Sequence, residues 1–142
     1  MKVNFTILFV VFTISLTYAQ QSEVFKKANT IIIETGEPES VAMGHVVREL
    51  RNAGYMTTDK DDTFIQASKE ESFAWSTTGV IEITIQARVS GGTITMNARA
   101  KVPGYSGQEE VQYSGGGKRL FRKMQEVADN IAAPSQQYFA KQ

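Results

Sequence analysis

The sequence predicts one α+β domain, a two-layer sandwich in which an antiparallel sheet carries two helices on one face, in the order β-α-β-β-β-β-α. Two observations predict this class. Segments 38–53 and 118–133 carry apolar residues at helical spacing. Segments 80–89 and 93–102 alternate between apolar and polar residues, as half-buried strands do. Helices with one apolar stripe and a sheet with one apolar face bury these surfaces against each other.

The N-terminal nineteen residues have the three parts of a secretory signal peptide. Lys2 provides positive charge, residues 5–16 form an apolar run, and Thr17 and Ala19 are the small residues of a cleavage site. The alternative is a membrane anchor, but a spanning helix needs roughly 20 apolar residues. We therefore predict cleavage after Ala19 and a periplasmic or secreted protein.

The amino-acid composition limits the kinds of chemical site and the classes of partner that the protein can have. The chain has no cysteine, and its 15 basic residues balance its 15 acidic residues. The lack of cysteine excludes thiolate metal sites and cysteine nucleophiles, and in a small exported chain it favours a bacterial envelope. The balanced charge gives no electrostatic reason to expect nucleic acid as a partner. We expect one domain at residues 20–134 and no membrane-spanning segment after signal cleavage. Residues 135–142 are predicted as a C-terminal tail, with docking of Tyr138 and Phe139 as the alternative.

The N-terminal half of the domain is predicted as strand, helix, strand and strand. Residues 30–34 are a β-branched run of strand length. The helix at 38–53 ends where Gly54 can adopt the left-handed conformation, and Tyr55 is placed to fold back onto its last turn. Strands at 55–58 and 63–69 follow, and a charged turn joins them.

The clearest local structure is a hairpin. Apolar residues occupy the odd positions of 80–89 and the even positions of 93–102. Two glycines at 91–92 suit a two-residue turn because glycine tolerates positive φ. The resulting register pairs apolar with apolar residues throughout and places Glu82 opposite Lys101. A slip of one residue would oppose apolar to polar side chains.

A stretch with five glycines, residues 103–117, precedes the second helix. A connection of this length is typical of a functional or mobile loop, and it contains a short strand-like piece at 111–113. The helix at 118–133 ends at Pro134. The sheet then has one apolar face, and its other face stays open to solvent or to a partner. The polar side chains on that open face are Thr84, Gln86, Arg88, Thr95, Asn97 and Arg99.

The order of elements resembles the half-domain of the TATA-box-binding-protein fold, a likeness of topology that implies nothing about DNA. Residues 28–33, the helix that ends at Gly54 and Tyr55, and the charged turn before the next strand resemble small secreted proteins of unknown function from Bacteroidetes. That resemblance covers roughly residues 20–70 and implies an exported protein, but no functional residues. Some of those proteins are anchored to lipid through a cysteine, which this chain lacks.

The start of the second helix is a candidate anion site for phosphate or an anionic glycan. Free backbone N–H groups and the positive end of a helix attract anions. The spacing of a P-loop is absent, and pairing of the cations with Glu109 and Glu110, or solvation, is the alternative. The candidate anion-binding residues are Gly116, Gly117, Lys118, Arg119 and Arg122.

Two aromatic residues are candidates for partner binding. Phe73 and Trp75 extend the core if the strand continues through Gly79, and they form an exposed pair if a bulge turns them. Together with Arg88 and Arg99 of the open face, they are the candidate partner-binding residues.

A calcium loop and a histidine site are disfavoured. Residues at the ligand offsets of a calcium loop are Asp59, Asp61, Thr63 and Glu70. However, Phe64 stands where that loop requires glycine. His45 is the only histidine, so we interpret it as an ordinary residue at the edge of the helix stripe.

We therefore predict no catalytic, metal or cofactor site. The leading hypothesis is a small non-enzymatic binding module of the bacterial envelope, whose partner is an envelope protein or a glycan. One alternative is a homo-oligomeric structural subunit that pairs through an edge strand. A second is an enzyme that acts on a glycan through carboxylates, for example Glu70 or Glu71 with Glu82.

Overall fold

The computed structural model describes residues 24, 26–72, 79–132 and 136–140. Within these residues the chain forms a seven-stranded sheet and two helices, so the predicted α+β class is confirmed. Two strands are added to the predicted order. The elements are β1 (Thr30–Glu34), α1 (Glu39–Asn52), β2 (Met56–Lys60), β3 (Phe64–Ser72), β4 (Val80–Ser90), β5 (Thr93–Lys101), β6 (Gln108–Glu110), α2 (Gly117–Ala132) and β7 (Gln136–Phe139).

The strands follow the order β2-β3-β4-β5-β1-β7, and all described pairings are antiparallel. Strand β5 pairs with β4 along one edge. Its other edge pairs with β1 over residues 93–97 and with β6 over residues 99–101. Strand β1 therefore lies between β5 and β7, which brings the two ends of the domain together.

The predicted hairpin register is confirmed. The pairs run from Val89 opposite Ile94 to Glu82 opposite Lys101. Both turn glycines have positive φ, as a tight hairpin turn requires. A Cβ on Gly92 would also lie 3.0 Å from the Glu37 carbonyl oxygen, so close approach of the chain before α1 adds a second reason for glycine there.

One continuous hydrophobic core joins the sheet to both helices. Alternate residues of the long strands are buried, among them Ile85 of β4 and Met96 of β5. The same core contains Leu50 of α1 and Phe121 of α2, and the two helices contact each other as well as the sheet. Because alternate residues are buried, the polar side chains of β4 and β5 lie on the opposite face of the sheet.

Helix α1 lies within its predicted bounds, with two local differences. Pro38 is the residue before the first turn rather than the first helical residue. Gly54 has φ +84°, and the N–H of Tyr55 donates to the Leu50 carbonyl at 2.9 Å. The chain thus folds back onto the end of the helix, as its sequence predicts.

The charged turn is shorter than predicted. Strand β2 extends to Lys60, and a register shift between Thr57 and Asp59 accommodates the longer strand. The turn begins at Asp61, whose side chain accepts hydrogen bonds from the N–H groups of Thr63 and Phe64 at 2.7 Å each. This Asx turn reverses the chain locally and leaves the residues before it free to pair.

The short strands near the C-terminus differ from prediction. Strand β6 lies just before the piece predicted at 111–113. The segment predicted as a tail contains β7, which adds to the free edge of β1. Gln136 and Tyr138 of β7 are buried on the core side, so this segment completes the core.

Several predicted features lie outside the described residues: the signal peptide, Phe73, Trp75 and Pro134. Among the helices that the structure describes, none has the length and apolar character needed to cross a membrane.

Candidate functional site

The face of the sheet opposite the core carries a set of polar side chains in register, which we call the polar face. The six residues predicted from the sequence belong to it, and two residues of β3 join them. Arg88 and Arg99 are exposed, whereas Thr84 is only 1% exposed beneath its neighbours. The polar face consists of Gln66, Ser68, Thr84, Gln86, Arg88, Thr95, Asn97 and Arg99.

Hydrogen bonds between side chains order this face. Gln86 Nε2 donates to Gln66 Oε1 at 2.7 Å, and Gln66 Nε2 donates to Thr58 Oγ1 at 3.3 Å. The hydroxyl groups of Ser68 and Thr84 share a further hydrogen bond of 2.9 Å. The amides and hydroxyls are therefore held in defined orientations rather than loosely solvated.

The row of amides ends in an unsatisfied acceptor. Asn97 lies directly opposite Gln86 on β5. Its Oδ1 is buried and has no hydrogen-bond partner among the residues described. Leaving a buried acceptor unpaired costs about 1–3 kcal/mol. A donor group that enters between the neighbouring side chains would remove this cost.

Two guanidinium groups flank the pair formed by Gln86 and Asn97. Arg88 lies on one side, with its guanidinium 5.6 Å from the centre of the Phe64 ring. Arg99 lies on the other side and makes no hydrogen bond or ion pair with any described residue. Thus the structure brings two of the four predicted partner-binding residues onto the same face.

The predicted anion site at the start of α2 has a different geometry from the one expected. The N–H groups of Gly117 and Lys118 donate to the carbonyls of Ser114 and Gly115, at 2.9 and 3.4 Å. Lys118 Nζ lies 5.4 Å from the centre of the Tyr113 ring. These groups are already engaged within the turn, so the backbone at Gly116 and Gly117 is not an open cradle of N–H groups.

The two arginines of that prediction instead line a cavity beside the helix. This cavity, which we call the α2 cleft, has a volume of about 310 Å³ and lies between the end of β3 and α2. The spacing of its helical residues places them on one side of α2. The described residues that line the α2 cleft are Glu71, Ser72, Arg119, Arg122, Lys123 and Glu126.

A buried tyrosine lies near the ion pair of Lys69 and Glu71, with its ring centre 5.8 Å from Lys69 Nζ. Tyr55 is 6% exposed, and its hydroxyl has no hydrogen-bond partner in the described part of the chain. Burial raises the pKa of Tyr55 well above its usual value, and the charges of Glu71 and Glu126 raise it further. The sequence predicted only that Tyr55 packs on the end of α1, because nothing local indicates where its hydroxyl points.

A second cavity, of about 320 Å³, is lined by residues of β2, β3 and β4. Glu70 and Glu82 both line it and lie opposite each other across β3 and β4. Ser68 and Thr58 contribute hydroxyl groups to its wall. The structure thus selects Glu70, rather than Glu71, as the partner of Glu82.

The described residues give no support to the calcium loop or the histidine site that the sequence disfavours. Asp61 uses one carboxylate oxygen for its own turn, and Glu70 lies far along β3. His45 is held between Arg48 Nη2, which donates to its Nδ1 at 2.9 Å, and Glu37, to which its Nε2 donates at 3.1 Å. Over the described ranges there is no group of three or more metal-ligating side chains.

No known protein-family model matches this sequence. No curated protein matches it significantly.

Proposed function

We propose that this protein is an exported, non-enzymatic binding module of the bacterial envelope, and that its polar face binds a glycan. The observation that carries the proposal is the ordered row of amides that ends at the unpaired Oδ1 of Asn97. Sugar hydroxyls are donors and acceptors at once, so they suit a surface of amides and hydroxyls.

The chemistry of the polar face favours a glycan over a protein partner. Protein interfaces usually centre on aromatic and aliphatic side chains. The polar face instead presents amides, hydroxyls and the flanking guanidinium groups of Arg88 and Arg99. Its apolar side chains are Phe64, beneath Arg88, and, at the edge next to Thr95 and Asn97, the half-buried Ile32 and Phe139.

An NMR titration of the isotope-labelled protein with glycan fragments from bacterial envelopes tests the proposal. We expect saturable shifts at Gln86, Asn97 and Arg99. Asn97→Ala should weaken binding at least about tenfold, because it removes the unpaired acceptor. The matched control is Asn52→Ala on α1, whose amide donates only to Glu49 at 3.4 Å.

Two results would contradict the proposal. One is unchanged affinity in the Asn97→Ala variant. The other is capture of an envelope protein on the polar face without any binding of glycan fragments, which would make the partner a protein.

Export is part of the same proposal and rests on the sequence of the N-terminus. When the full chain is expressed in a Gram-negative host, the mature protein should begin at Gln20 and occur outside the cytoplasm. N-terminal sequencing of the fractionated protein measures this directly. An intact Met1 in the cytoplasmic fraction would reject export.

A glycan-acting enzyme is the second candidate, and the register of Glu70 and Glu82 favours it. Residues directly opposite on antiparallel strands have Cβ atoms about 4.5–5.5 Å apart. From such positions the two glutamate side chains can reach the separation of about 5–5.5 Å that retaining glycosidases hold between their carboxyl groups. Hydrolysis of envelope glycans by the native protein, and its loss in Glu82→Gln, would establish this function. Absence of hydrolysis with intact binding would support the binding module.

A further inference from the structure

We propose that the α2 cleft is a separate binding site for a phosphate group, with Arg122 as its main anchor. This site is distinct from the polar face, since residues of α2 and the end of β3 line it. It does not depend on glycan binding by the polar face.

The first support is the arrangement of cations on one side of α2. Arg119, Arg122 and Lys123 are three and four residues apart, so they project from neighbouring turns of the same side. All three line the α2 cleft. They belong to the N-terminal half of α2, where the helix dipole also favours negative charge.

The second support is the balance of charge within the cleft. Glu71 is paired with Lys69 at 2.9 Å, and Glu126 with Lys123 at 3.6 Å. Each carboxylate therefore has its own lysine. Arg122 is exposed and has no hydrogen bond or ion pair with the residues described. Its guanidinium remains available for a ligand.

The third support is the unpartnered hydroxyl of Tyr55. Its side chain is buried, and its ring centre lies 5.8 Å from Lys69 Nζ, the group that pairs with Glu71. Glu71 lines the α2 cleft. A buried hydroxyl without a partner is unusual in a folded protein. A ligand oxygen in the cleft would provide the missing acceptor.

The donors of the cleft suit phosphate better than a carboxylate ligand. A guanidinium can donate two parallel hydrogen bonds to a phosphate. The hydroxyl of Ser72 lines the cleft at the end of β3 and supplies a further donor, and that of Tyr55 would supply another where the ligand reaches it. A tetrahedral anion with several oxygens can accept all of them. The volume of about 310 Å³ also admits a phosphorylated monosaccharide.

The test is calorimetric and NMR titration of the purified protein with inorganic phosphate and, separately, with glucose 6-phosphate, against sodium chloride at equal ionic strength. We expect saturable binding of phosphate with shifts at Ser72, Arg122 and Lys123. Arg122→Gln should weaken it at least about tenfold, because a charged donor is lost. Arg99→Gln, on the polar face, is the matched control and should leave phosphate binding unchanged.

Tyr55→Phe gives an independent readout. It removes only the hydroxyl, so the free protein should unfold at the same temperature or higher, while its affinity for phosphate falls severalfold. Tighter binding of glucose 6-phosphate than of phosphate would assign a phosphorylated sugar as the ligand, and equal binding would assign free phosphate.

No saturable binding of either anion, or equal affinity in Arg122→Gln and the native protein, would overturn the proposal. Neither result would affect the polar face, whose test uses Asn97→Ala and neutral glycan fragments. The two proposals can therefore fail separately.

Discussion

Glu82 lies opposite Glu70 on one neighbouring strand and opposite Lys101 on the other. None of the three makes an ion pair with a described residue. Two carboxylates therefore share one end of the sheet, and neither forms an ion pair with a described cation. Like charges directly opposite each other destabilise a sheet.

Glu70→Gln should consequently raise the free energy of unfolding by about 0.2–1 kcal/mol at low ionic strength. The gain should shrink in 1 M salt, because salt screens exposed charges. Urea unfolding at both ionic strengths measures it. The control is Glu34→Gln at the end of β1, which lies opposite Thr93 rather than a carboxylate. A loss of stability in Glu70→Gln would indicate that the pair is held by an interaction of the ionised groups.

Gly117 should be the least replaceable glycine at the start of α2. A Cβ there would collide with the carbonyl oxygen of Gln112, whereas a Cβ on Gly116 would meet open space. We expect Gly117→Ala to destabilise the protein by about 1–3 kcal/mol, the usual cost of forcing atoms into a packed site. Gly116→Ala should change stability little. Chemical denaturation of the two variants compares them, and equal stabilities would show that the turn before α2 adjusts freely.

The Asx turn should make the stability of the protein depend on pH in the acidic range. The hydrogen bonds from the N–H of Thr63, the largest cause, and of Phe64 hold the pKa of Asp61 below its usual range. A carboxyl with a lowered pKa in the folded state stabilises the protein above its unfolded pKa of 3.8, and this contribution disappears as the pH falls through the folded value.

Asp61→Ala should therefore lower the melting temperature more at pH 7 than at pH 2.5. Asp62→Ala, at the neighbouring exposed position, is the control and should change it little at either pH. An equal effect of Asp61→Ala at both pH values would show that the charge of Asp61 does not stabilise the turn.

Strand β7 should be required for stability although its sequence reads as a tail. Tyr138 is 4% exposed and packs 6.2 Å from Phe121, ring centre to ring centre. Its hydroxyl accepts a hydrogen bond from Gln125 Nε2 at 2.9 Å. We expect Tyr138→Ala to cost about 3 kcal/mol, the range for a buried aromatic residue.

Phe139→Ala provides the comparison for Tyr138→Ala. Phe139 is the next residue of β7 and, by strand alternation, projects from the other face, where it is half-buried. Its loss should cost about 1 kcal/mol or less. If both variants had the same free energy of unfolding in urea as the native protein, the docking of β7 would contribute nothing to the core.

Local pattern was sufficient for the central hairpin and for both helices. In β4 and β5, apolar residues on one parity and a two-glycine turn leave a single register that buries all of them together. In α1 and α2, apolar residues recur at helical spacing, and chain-breaking residues lie near the ends. These signals depend on neighbours in sequence, so they can be read without the fold.

The short strands could not be read in the same way. Strand β6 has three residues, all exposed, and β7 has four residues, and such lengths are too short to establish a period. Both exist because β5 and β1 offer free edges at which backbone groups need partners. Such edges are known only when the order of strands in the sheet is known.

The candidate sites also contain some features that local sequence pattern predicts and others that depend on the tertiary structure. Alternation in β4 and β5 placed Arg88, Asn97 and Arg99 on one open face, because side chains of a strand alternate whatever lies beyond it. The unpaired oxygen of Asn97 and the cleft that joins Arg122 to Glu71 and Ser72 arise from residues far apart in sequence. Burial and pairing of these groups depend on how α1, α2 and β3 pack together, so only the tertiary structure could reveal them.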